Sequence, residues 1–169
     1  MRGSKYIQSE MKDIFRSVKA DLGADKEVLL SGTSCQISGL TNFLNREYPK
    51  LLCEDIVCHG VSSPMIWRDD LKWQEEKNSC KVVAADFRNK KDFGWKAHVE
   101  SLLFANGKCV DSTIFTILFY GHSILRPCCY QCLYKDIVHP SNITIGDYWG
   151  IDIAVSGFND EKGMSALMR

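Results

Sequence analysis

Apolar residues recur at steps of three and four at Ile7, Met11, Ile14, Phe15, Val18 and Leu22, with charged residues opposite, which predicts a first helix closed by Gly23. Val28-Leu29-Leu30 is a short apolar run followed by Ser31-Gly32-Thr33 and reads as a buried strand ending in a tight loop. Helical spacing resumes at Ile37, Leu40, Phe43, Leu44 and Tyr48. Leu51 to Cys58 is a second strand-like run ending at His59-Gly60, and Pro64 opens a helix carrying Ile66, Trp67 and Leu71. From Cys80 the pattern changes. Residues 81–87 and 95–104 read as strands, and Asn106-Gly107 marks a hairpin before Lys108-Cys109-Val110. A short apolar helix is predicted over Ile114 to Tyr120 and a loop over Arg126 to Cys132. Ile143-Thr144-Ile145 enters Gly146-Asp147-Tyr148-Trp149-Gly150 as a last strand and turn.

These elements define a mixed α/β (α+β) class: an alternating helix/strand N-terminal half, then an antiparallel hairpin region and a cysteine-bearing loop. No repeat or low-complexity linker interrupts the chain, so a single domain over residues 1–169 is expected. The apolar segment beginning at Gly163 stops at Arg169 without a cap, which reads as a chain cut from a longer one.

At 169 residues the chain is long enough to fold without disulfide staples. Its 21 basic and 21 acidic side chains cancel, and the pI is near 6.9, so no basic footprint points to nucleic acid or an anionic membrane. No apolar stretch is long enough to insert into a membrane, and the N-terminus lacks the apolar core of a signal peptide, so a cytoplasmic location is expected. Against that background, eight cysteines are an excess. In a cytosolic chain they point to metal binding or redox chemistry rather than a disulfide framework.

Cys35 and Cys58 each follow a strand-like run, the place where ligands collect in an open α/β sheet. Cys129 and Cys132 form the only CxxC. Four such thiolates suit an iron-sulfur cluster; structural zinc, which more often uses two close pairs, and inert buried thiols are the alternatives. Cys53, Cys80 and Cys109 lie in apolar or strand-like runs and read as core residues. His59 reads as a metal ligand, a donor to a cluster sulfur or a helix cap. Redox activity of the CxxC alone is less supported, because the pair sits on a loop rather than opening a helix after a strand.

Six blocks carry a resemblance: Arg2-Gly3-Ser4-Lys5-Tyr6-Ile7-Gln8-Ser9, Gly32-Thr33-Ser34-Cys35-Gln36, Val57-Cys58-His59-Gly60-Val61-Ser62-Ser63-Pro64, Phe87-Arg88-Asn89-Lys90, Leu125-Arg126-Pro127-Cys128-Cys129-Tyr130-Gln131-Cys132, and Ile143-Thr144-Ile145-Gly146-Asp147-Tyr148-Trp149-Gly150. In this order they resemble the signature blocks of the coenzyme F420 hydrogenase/dehydrogenase beta subunit family. The resemblance implies an iron-sulfur flavoprotein with noncovalent FAD and one 4Fe-4S cluster on Cys35, Cys58, Cys129 and Cys132. It further implies a small-molecule hydride donor or acceptor and a redox partner protein or ferredoxin-like domain.

The chain departs from the family pattern at Ser34, where proline is usual, and at Cys128, where serine is common. The preceding ferredoxin-like segment and the C-terminal part of longer members are expected to be missing. No Gly-x-Gly-x-x-Gly is present, so FAD binding rests on the resemblance. Within it, Ser4, Lys5, Gln8 and Thr33 offer donors, and Arg88 and Lys90 offer positive charge for a pyrophosphate. Asp147 and Trp149 read as site-lining groups or as a polar-aromatic turn. A zinc-stabilised or thiol-bearing binding module without redox catalysis is the alternative function.

Overall fold

The computed structural model describes residues 6–158 and 162–169. In chain order it contains α1 (Ile14–Gly23), β1 (Val28–Thr33), α2 (Ser34–Leu44), β2 (Leu51–Ile56), α3 (Pro64–Asn78), β3 (Val82–Asp86) and α4 (Lys90–Phe93). There follow β4 (Glu100–Phe104), β5 (Cys109–Ser112), α5 (Ile114–Tyr120), α6 (Pro127–Tyr130), β6 (Ile143–Asp147), α7 (Ile151–Ala154) and β7 (Ser165–Met168). The class is the α/β one expected. The chain divides into two compact units, each assembled from separated segments: residues 1–8 with 59–131, and residues 9–58 with 132–169. No linker marks this division, because each unit borrows chain from both sides of the other's sequence.

The second unit, here called the parallel unit, holds a four-stranded sheet in the order β1-β2-β6-β7. β1, β2 and β6 are parallel, and β7 closes the edge antiparallel to β6. Alternation along the strands decides which side is core. Leu30 on β1 and Leu51 and Cys53 on β2 join Val18 and Leu22 of α1 and Ile37, Leu40 and Leu44 of α2 in one apolar cluster. Ile37 and Leu40 are fully buried. Burying each contributes about 1.5–3 kcal/mol, which fixes α2, and hence its first turn, on the sheet.

The first unit, the aromatic unit, is built on an antiparallel sheet in the order β3-β4-β5. Its core is a ring cluster of Tyr6, Phe87, Phe115 and Phe119 with Ile124 and Leu125, and Trp67 packs against it. Tyr6 stacks on Phe119 with centroids 4.5 Å apart.

The first helix begins at Ile14 rather than near Ile7. Tyr6 and Ile7 are drawn into the aromatic cluster, and Lys12 at φ +33° interrupts helical geometry. The strand expected over 95–104 starts only at Glu100, because Trp95 and Ala97 give their carbonyls to Arg88 instead of to a ladder. The 126–132 loop contains the single turn α6, opened by Pro127. Ser165–Met168, read from sequence only as an apolar ending, is strand β7.

Candidate functional site

Two of the four sequence-predicted ligands are positioned by the parallel register. Thr33 is paired with Ile56, the last registered couple of β1 and β2, and Cys35 and Cys58 each stand two residues beyond it. They therefore emerge from the same edge of neighbouring strands, and both are exposed. β1 passes directly into α2: Thr33 is extended, its backbone N–H donates to Gln36 Oε1 at 2.9 Å, and its Oγ1 lies 3.1 Å from Cys35 Sγ. Beyond β2 the Val57 N–H donates to the Ile145 carbonyl at 2.8 Å, continuing the ladder up to Cys58. Gly146 makes room here, since a Cβ at that position would stand 2.7 Å from Val57 Cγ2.

Cys132, half-buried, belongs to the same unit and accepts a hydrogen bond from the Tyr134 N–H at 3.4 Å. Cys129 belongs to the aromatic unit, on α6, where it packs against the ring cluster. Gly60, at φ +136°, is required beside it: a Cβ there would meet Leu125 Cδ1 at 3.0 Å and Cys129 Cβ at 3.6 Å. Cys128, on the same turn, is exposed. No disulfide joins any of the eight cysteines. Among the described residues, no three His, Cys, Asp or Glu side chains are gathered in a metal-holding group. Thiolates are donors that iron-sulfur clusters and zinc both take; Cys35, Cys58 and Cys132 belong to one unit and Cys129 to the other.

Of the remaining cysteines, Cys53 is buried, and burial pushes its thiol pKa up. Cys80 is half-buried. Cys109 is not a core residue: it lies exposed on β5, the edge strand of its sheet, whose alternate residues face outward. His59 sits among Phe119, Tyr120 and His122, with centroids 4.7–5.0 Å away, and burial and the neighbouring His122 lower its pKa. It does not cap α3, whose N-cap is Ser63.

The flavin candidates are dispersed. Ser4 and Lys5 lie outside the described residues. Gln8 accepts a hydrogen bond from Arg126 Nη1. Arg88 is only 4% exposed; Nε and Nη2 donate to the Ala97 and Trp95 carbonyls, so it fastens the 95–97 loop. Lys90 lies with Nζ 4.5 Å from the Trp95 ring centroid. Asp147 ends β6 opposite Ser165, exposed, and Trp149 is about half exposed in the turn that follows.

Sequence reading missed a buried polar group in the parallel unit. Asp55, on β2, is 0% exposed, and its Oδ2 lies 2.9 Å from His139 Nδ1. The same Nδ1 lies 3.2 Å from Ser34 Oγ. Because both contacts fall on one ring nitrogen, this is not a nucleophilic triad, which needs serine and carboxylate on opposite nitrogens. Burial works to raise the Asp55 pKa, but hydrogen bonds from Thr144, His139, Ser34 and Ser141 hold it below the ordinary value. A carboxylate inside the apolar run 51–58 was the available signal.

Comparison with curated proteins gives no match. The family model that describes the C terminus of the coenzyme F420 hydrogenase/dehydrogenase beta subunit matches residues 25–168. That span includes five of the six blocks quoted above and all four candidate ligands; the block at residues 2–9 lies before it. The chain therefore belongs to the family defined by the C terminus of the coenzyme F420 hydrogenase/dehydrogenase beta subunit, and it is an oxidoreductase-type domain.

Proposed function

We propose that this chain is an FAD-dependent iron-sulfur oxidoreductase domain, passing electrons between a hydride carrier or organic substrate and a 4Fe-4S cluster. Cys35, Cys58, Cys129 and Cys132 would hold the cluster. The observation that carries this reading is the matched register of Cys35 and Cys58, each two residues past the Thr33↔Ile56 pair of a parallel sheet. A bound flavin would take two electrons as hydride and exchange them singly with a cluster.

The chain's own residues support the ligand assignment at three points. The Tyr134 N–H already donates to Cys132 Sγ, as amides that tune cluster sulfurs do. Gly60 permits the close approach of its loop to the Cys129 side chain. Thr33 Oγ1 stands beside Cys35 Sγ and can donate to it. Lys90 and Asp147 are exposed polar groups, whereas Arg88 acts through the loop it fastens. Membership in a beta-subunit family supports a redox partner protein. No helix among the described residues is long and apolar enough to cross a membrane.

The test is anaerobic purification of the full chain with iron, sulfide, zinc and flavin quantified. A brown protein whose visible absorbance bleaches on dithionite is expected. Cys132→Ser should lower its iron content and Cys109→Ser should not. A colourless protein holding stoichiometric zinc and no flavin would replace this reading with the zinc-stabilised binding module.

A further inference from the structure

The segment joining Cys132 to β6 has almost no regular structure, and apolar burial does not hold it. Leu133, Ile137 and Val138 are 85%, 92% and 82% exposed. Its anchors are polar. Tyr134 Oη donates to Ser38 Oγ at 2.8 Å. His139 Nδ1 meets Asp55 Oδ2 and Ser34 Oγ. Asn142 ties to Cys53 twice: its Oδ1 accepts from the Cys53 N–H at 2.8 Å, and its own N–H donates to the Cys53 carbonyl at 2.9 Å.

The receiving residues are informative. Ser34 and Ser38 lie on α2, and Ser34 directly precedes Cys35; Cys53 and Asp55 lie on β2, which leads to Cys58. The anchors thus join the segment after Cys132 to the two elements that present the other cysteines of this unit. Of these anchors, only the His139 contact reaches both elements at once. His139 and Asp55 are nearly enclosed, with side chains 13% and 0% exposed, so water competes weakly for their hydrogen bond. A carboxylate held in that setting is stable only while its donors stay in place.

We propose that Asp55, His139 and Ser34 form a buried clasp that positions the Cys132 segment on α2 and β2, and so sets the placement of Cys132 relative to Cys35 and Cys58. These three are positioning residues: none is assigned as a ligand, and each acts through the backbone it holds. In its consequence for the cluster this rests on the ligand assignment above. The clasp itself does not, and can be read in the metal-free protein.

The experiment uses the full chain with His139→Ala, the conservative His139→Asn, which keeps an N–H donor, Ser34→Ala, and Ile137→Ala as a control in the same segment. In the metal-free proteins, amide hydrogen exchange over residues 132–142 is expected to quicken at least tenfold in His139→Ala, less in Ser34→Ala, and to recover in His139→Asn. Ile137→Ala should leave it unchanged. In the anaerobically reconstituted proteins, His139→Ala should lose iron to a chelator about 10–100 times faster, with an altered reduced-state EPR spectrum, and His139→Asn should restore both. Unchanged exchange in His139→Ala would overturn the clasp whatever metal is bound. Quickened exchange in a protein that takes up no cluster would uphold the clasp and overturn the ligand assignment. If His139→Ala does not fold, Ser34→Ala carries the test, and exchange over residues 132–142 as slow as in the native chain would overturn the clasp.

Discussion

Each unit buries one carboxyl group, and the two are pushed in opposite directions. Glu100, on β4 of the aromatic unit, is 1% exposed; the Phe115 N–H reaches its Oε1 at a long 3.4 Å, and Oε2 has no hydrogen-bond partner. Desolvation raises its pKa to about 7, the Ser112 hydroxyl opposes this, and the charge of Asp70 adds to it. Asp70 is itself raised by burial. Asp55, in the parallel unit, is at least as buried and its Oδ1 likewise has no hydrogen-bond partner, yet its pKa falls because His139 bonds Oδ2 and hydroxyls lie around it. Burial alone does not decide the charge of a carboxyl group; the donors that accompany it do. One unit holds a carboxyl that gains by staying protonated, the other a carboxylate that organises its surroundings.

The largest effect is expected where the organised carboxylate is removed. Asp55→Ala takes the buried carboxylate away from His139 and from the hydroxyls around it and should cost about 3–5 kcal/mol in urea unfolding of the full chain. A loss below about 1 kcal/mol would mean that these donors find other partners, and the contrast between the units would collapse. Asp55 also sets an acid limit: with its folded pKa below 3.8, its contribution is present above that value and lost as pH falls through the depressed one.

Next is Glu100→Gln. Because its folded pKa is raised above 4.5, to about 7, the Glu100 contribution is complete below pH 4.5 and is lost as pH rises through 7. The difference corresponds to about 3 kcal/mol. The glutamine variant should therefore gain up to that amount over the native chain at pH 8, with little gain at pH 4, measured by denaturation across pH. Equal curves for both proteins would show that Glu100 is hydrated in solution. The smallest effect is expected from Ile137→Ser, on the segment held by polar contacts. With 92% of Ile137 exposed, stability should change by less than about 0.5 kcal/mol.

Much of the fold was legible in the sequence. The period of the apolar residues located α2, β2 and α5, and Asn106-Gly107 located the β4–β5 hairpin, because these signals are local. Pro64 marked the start of α3. Early helical spacing at Ile7 misled, since an apolar residue does not state which core it will join, and Ile7 packs with aromatic rings far along the chain. Arg88 offered charge, but its donors were taken by backbone carbonyls seven and nine residues on. Within the candidate site, Cys35 and Cys58 were foreseeable from strand-end position. The His139–Asp55 contact spans 84 residues and has no local signature.

The sequence by itself determined the family, the elements, the cysteine set and the lack of a strong charge bias, all carried by residue type and short-range spacing. Tertiary structure alone decided the pairing of Thr33 with Ile56 that brings Cys35 and Cys58 to one edge. It also decided the division of the chain into two discontinuous units and the opposite fates of Asp55 and Glu100. Burial and hydrogen-bond partners are properties of what the folded chain places nearby, and a carboxyl group carries no mark in the sequence of which donors it will meet.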